Sequence, residues 1–152
     1  MTEDSATVQL LDVPVARYLQ MQQHHDAMLR EFALIVVGAE DPSVHEVPRR
    51  LLELITETRS RHPSAAAQLR EGIAAAESRG QALATLRLQL PLEVVRWVGD
   101  LLVLFDEADD FCRTGDLLTP PSSPEVVHIR QWLVGEIMRQ ASDGAAPTPF
   151  QE

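Results

Sequence analysis

Apolar residues recur at spacings of three and four in five stretches of the chain and alternate with polar ones in a sixth. From about residue 14 to 37, Val15, Tyr18, Gln22, His25, Leu29, Phe32 and Val36 share one side of a helix. Arg17, Gln20, His24, Ala27 and Glu31 fall on the other side. Pro14 suits the first turn of that helix, Asp12 its cap and Gly38 its stop. After a loop at AEDPSVHEVP, a second helix over about 47–61 turns Leu51, Leu54, Ile55 and Thr58 inward. A third, over about 64–79, is alanine-rich, with Leu69 and Ile73 as its larger anchors and Gly80 as its end. A fourth, over about 91–113, has its core stripe at Val94, Val98, Leu101, Phe105, Ala108 and Cys112. Gly115 and the prolines of DLLTPPSSP stop it, and Ser123-Pro124-Glu125 starts a fifth over about 124–141. That helix carries Val126, Ile129, Leu133 and Ile137 inward.

The alternating stretch is QALATLRLQL, residues 81–90. Its only candidate partner is VQLLDV (Val8–Val13), so the expectation is an extended connector, with a two-stranded pairing as the alternative. The predicted fold class is all-α, an antiparallel bundle of about five helices around the long first, fourth and fifth. Residues 1–12 read as an N-terminal arm, 13–141 as the helical bundle and 142–152 as a flexible C-terminal tail.

A chain of 152 residues is the length of one domain. Such a domain buries roughly 70% of its unfolded surface and needs no metal or disulfide to fold. Cys112 is the single cysteine, so no internal disulfide exists. The net charge of −10 disfavours nucleic acid and anionic membranes, whose affinity comes from basic residues. It leaves basic protein surfaces as natural partners. The N-terminus lacks the charged and apolar regions of a signal peptide, and apolar runs such as Leu101–Phe105 are too short to span a bilayer. A cytoplasmic location is expected.

The chain contains no lysine and no asparagine, which removes several chemistries. A P-loop needs lysine on the phosphates, a kinase site needs lysine and asparagine, and a Schiff-base enzyme needs lysine. The DEAD tetrapeptide after Leu101–Phe105 therefore lacks its ATPase partners, and its apolar neighbours continue a helical stripe instead. His24 and His25 point about 100° apart on a helix and cannot share an ion as an i,i+4 pair does. Glu125-x-x-His128 has one copy of a di-iron spacing that requires two. His25 and Cys112 fall on core stripes, and no nucleophile elbow is present. The expectation is a protein that is no enzyme, with no catalytic residue, cofactor or metal.

Two surface features remain as candidate interaction sites. Asp106, Glu107, Asp109 and Asp110 crowd the C-terminal half of the fourth helix, where the helix dipole favours cations. Either Arg113, four residues after Asp109, and Arg130 on the returning fifth helix neutralise them, or an arginine-rich partner does. The second feature is Trp132 beside Arg139, with Phe150 of the tail as an anchor.

LLDVPV followed by LREFALI, LFDEADDFCRTGDLLT, and PEVVHIRQWLVGEIMRQ with its PTPF tail together resemble a family of small actinobacterial proteins, especially from streptomycete-like bacteria. Those proteins accompany anti-sigma regulators with ATPase folds and STAS-type antagonists. The resemblance implies a non-catalytic protein-interaction module in bacterial signalling or transcription regulation, with an anti-sigma or STAS-type partner. The alternative, from the residues alone, is a small-ligand-binding helical domain. It requires an apolar pocket between the first, fourth and fifth helices, lined by His25, Cys112 or Trp132.

Overall fold

The computed structural model describes residues 4–38, 45–115 and 117–152. The chain runs β1 (Ser5–Pro14), α1 (Val15–Gly38), α2 (Glu46–Arg61), α3 (Pro63–Ser78), β2 (Leu83–Pro91), α4 (Leu92–Thr114) and α5 (Pro124–Asp143). Residues 1–3 of the arm, most of the loop expected at AEDPSVHEVP, and Asp116 lie outside the described residues.

The all-α expectation is corrected by one feature: β1 and β2 pair antiparallel, so the fold is α+β. Both strands alternate, with Val8, Leu10 and Val13 of β1 buried on the same side as Ala84, Leu86, Leu88 and Leu90 of β2. Either strand alone would leave its backbone groups unpaired, and pairing across some eighty residues satisfies them at one stroke. The connector at 81–90 is therefore a strand, and most of the N-terminal arm is its partner. Asp12 does not cap α1. It sits in β1 with φ of 57°, at a bulge where Leu11 and Asp12 stand opposite Thr85. Each strand ends in a proline and runs directly into a long helix, Pro14 into α1 and Pro91 into α4.

Glutamine side chains close both outer edges of this small sheet. Gln140 of α5 bonds the amide and carbonyl of Gln9, each at 2.8 Å. Gln68 of α3 does the same for Gln89, also at 2.8 Å each. A side-chain amide thus stands in for a third strand at one position on each edge and interrupts the template for pairing with another chain there. α3 approaches β2 so closely that a Cβ on Gly72 would lie 2.5 Å from a Leu86 methyl.

The buried residues form two clusters. One gathers the inner face of the sheet with Tyr18, Met21, Ile73, Val94 and the inner stripe of α5. The other holds Met28, Phe32, Leu51, Leu104, Phe105, Ala108 and Cys112 between α1, α2 and α4. Ser123 caps α5 as its sequence suggests, its hydroxyl accepting from the Val126 amide at 3.3 Å. Among the described residues no helix is long and apolar enough to cross a membrane.

Candidate functional site

The acidic crowd on α4 is resolved within the molecule. Asp109 and Arg130 are buried, at 5% and 2% exposure. Asp109 falls on the stripe that carries Ala108 and Cys112 inward, and Arg130 on the stripe of Val126, Ile129, Leu133 and Ile137. Where α4 and α5 meet, Arg130 Nη2 donates to Asp109 Oδ2 at 2.8 Å. The other carboxylate oxygen accepts from the Ser122 amide at 2.9 Å and its hydroxyl at 2.7 Å. Arg130 Nη1 donates to Ser122 Oγ at 2.9 Å and meets His25 Nε2 at 3.0 Å. The Phe105 ring stacks on His25 at 4.0 Å and lies 5.4 Å from the guanidinium carbon.

Electrostatics follow from this geometry. Burial raises the Asp109 carboxyl, but the Ser122 hydroxyl and amide and Arg130 outweigh it and hold the pKa below the ordinary value. Burial, reinforced by Arg130 and His24 against a weaker pull from Asp109, lowers His25 to about 3. His25 is therefore neutral, and because its Nε2 accepts from Arg130, the ring proton sits on Nδ1. Burial, with Asp109 and Glu31, pushes the Cys112 thiol up to about 11, which keeps it an unreactive thiol.

The other acids have separate partners. Asp106 lies 3.6 Å from Arg130, and Glu107 lies 3.6 Å from Arg50 of α2. Arg113 pairs with Asp110, three residues back, and not with Asp109 as the helical spacing suggested. The four acids thus face three different cations, and Asp109 alone is buried while Glu107 is half-buried and Asp106 and Asp110 stay exposed. Trp132, Arg139 and Phe150 are also engaged internally. Phe150 packs edge-on against Trp132 at 5.3 Å and its amide donates to the Leu11 carbonyl at 3.1 Å. The Trp132 indole donates to the Thr148 carbonyl at 3.3 Å. Buried Glu136 accepts from the Thr148 amide at 2.8 Å and pairs with Arg139. The segment expected as a flexible tail therefore lies along α5 and β1. Phe150→Ala is expected to cost on the order of 1–2 kcal/mol, since a partly buried phenylalanine packed against the core is lost. In a Trp97→Phe background the Trp132 emission should shift to the red; unchanged emission and stability would mean the contact does not hold in solution.

A cavity of about 280 Å³ lies at the seam between the two core clusters. Tyr18, Met21, Leu90, Val94 and Leu133 line it from the sheet side, and Leu29, Ile55, Leu101 and Phe105 from the other. His25 and Arg130 form part of the wall. Cys112 and Trp132 do not line it. Ala65 and Ala66 of α3 leave the space open because a methyl fills so little of it. Gln22, Asp26, Thr58, Arg59 and Arg70 line the cavity and also reach solvent, so they mark its mouth. Burial, against the nearby Arg70 charge and with that of Asp26, pushes Tyr18 up to about 12 and keeps it a phenol.

The sequence signalled this site weakly. His25 was legible as a core histidine and Arg130 as a partner of the acids. The alanine run of α3 was the one sign of a thin wall, and nothing in the spacing joined it to α1, β2 or α4. Among the described residues, no group of three or more histidine, cysteine or acidic side chains is placed to hold a metal ion. Comparison with protein-family models, with curated proteins and with solved structures found no match to this chain.

Proposed function

We propose that this chain is a non-catalytic, cytoplasmic domain that binds a small, mainly apolar molecule in the cavity between its two cores. The observation that carries the reading is the cavity itself. Protein interiors pack to the density of organic crystals, and lost contacts around an empty space cost stability. This one is about twice the ~150 Å³ of an apolar cavity that accepts benzene. At ~30 Å³ each, it suits a body of roughly ten non-hydrogen atoms. Binding without chemistry is supported by His25, which lines the cavity as a neutral ring and already accepts a hydrogen bond from Arg130.

The test is titration of methyl-labelled protein with 1-octanol. Saturable shifts are expected at Ile55, Leu90 and Val94. Ala65→Phe, which fills the space, should abolish them and leave melting temperature unchanged or higher. Equal binding by the filled variant would refute the site.

A second reading keeps the interaction module, with an anti-sigma or STAS-type regulator as partner. The observation favouring it is no longer the acidic cluster but the exposure of Leu34, Val37 and Leu118, at 75%, 86% and 96%. Affinity capture that recovers no such regulator would remove this reading.

A further inference from the structure

Resting on the cavity reading, we infer that the occupant is a monoanionic amphiphile, an apolar body carrying one carboxylate, held with its body inside and its carboxylate at Arg59 and Arg70. The protein is strongly acidic, with 23 carboxylate side chains against 13 arginines. Cations on such a surface are expected to find anions, and many do: Arg49, Arg50, Arg61, Arg113 and Arg139 each pair with an acid. Arg59 and Arg70 do not. Among the described residues the side chains of Arg59 and Arg70 make no ion pair or hydrogen bond; Arg30, Arg79, Arg87 and Arg96 are unpaired as well, but only Arg59 and Arg70 of these six line the mouth of the apolar cavity.

They come from different helices, Arg59 from the last turn of α2 and Arg70 from the middle of α3. Two guanidiniums at the rim of an apolar space match a ligand whose charged end stays at the solvent boundary. Arg130, the third arginine of the wall, is not available for that role. Its terminal nitrogens are committed to Asp109, Ser122 and His25, and Asp109 balances its charge. Asp26 also lines the mouth and makes no ion pair with either arginine. It works against an anion, so two cations oppose one carboxylate there. A monoanion neutralises this local charge, whereas a dianion would leave one negative charge in excess beside Asp26.

The experiment compares octanoate with 1-octanol, which share a total of eight carbons and differ in the charge of the head group, by calorimetric titration at neutral pH and low ionic strength. Octanoate is expected to bind about tenfold more tightly, equivalent to ~1.4 kcal/mol. The advantage should shrink as salt is added. In Arg59→Gln/Arg70→Gln the octanoate affinity should fall to that of octanol with octanol itself unchanged, and Asp26→Asn should tighten octanoate alone. Equal affinities in the wild type, insensitive to the double substitution, would overturn the anionic-head assignment and leave the cavity reading standing. Failure of both ligands to bind would overturn both.

Discussion

Asp109→Ala is expected to destabilise the protein by about 3–5 kcal/mol. The reason is the partner left behind. Arg130 is 2% exposed and would be left in the interior without its acid. Its charge would then be buried with Asp106, at 3.6 Å, as its remaining acid. The Ser122 amide and hydroxyl would also lose their acceptor. Removing both ends of the pair, in Asp109→Leu/Arg130→Met, should recover most of the loss, because apolar replacements of similar volume avoid the desolvation of two ions. Urea denaturation of the two variants and the wild type measures this. A loss below about 1 kcal/mol for Asp109→Ala is the value of an exposed ion pair and would mean the pair is hydrated in solution.

Acid should destabilise the fold well before carboxylates titrate. In the unfolded chain His25 takes up its proton near 6.5, and in the folded protein not until about 3. Between those values the unfolded state binds more protons, so stability is full above the upper one and falls as pH drops toward the lower. The slope approaches ~1.4 kcal/mol per pH unit for one such group. His24, lowered chiefly by burial, adds in the same direction. Asp109 acts later: its folded pKa is depressed, so its contribution is present above the ordinary carboxyl value and lost as pH falls through the lower folded one. His25→Gln keeps an acceptor for Arg130 and removes the titration. Its stability should vary little between pH 6.5 and the carboxylate range, apart from the share due to His24. If the variant keeps the full wild-type slope, His25 is not the group responsible.

The same two side chains show where sequence reading reached its limit. The return of the fifth helix beside the fourth places Arg130 near the acids, and helical periodicity fixes which side of a helix a residue occupies. It does not fix the depth of that side in the fold. Arg113 was an equally good partner by spacing, yet it pairs with Asp110 on the surface. Only the crossing of α4 over α5 distinguishes a buried ion pair from an exposed one. Trp132 and Phe150 behave likewise: apolar anchors by type, they meet each other because the chain after α5 folds back along it.

By itself, then, the sequence determined the five helices, to within a few residues of their ends, and the alternation of residues 81–90. These are local properties, set by apolar spacing, prolines at helix starts and glycines after helix ends. The tertiary structure decided what those elements became. β1 and β2 are a sheet because two alternating segments some eighty residues apart lie side by side, and the cost of closing that loop is recovered only when the helices between them pack. The cavity exists because six elements leave a gap where two cores meet. A gap is a property of surfaces that fail to touch, and no single segment encodes it.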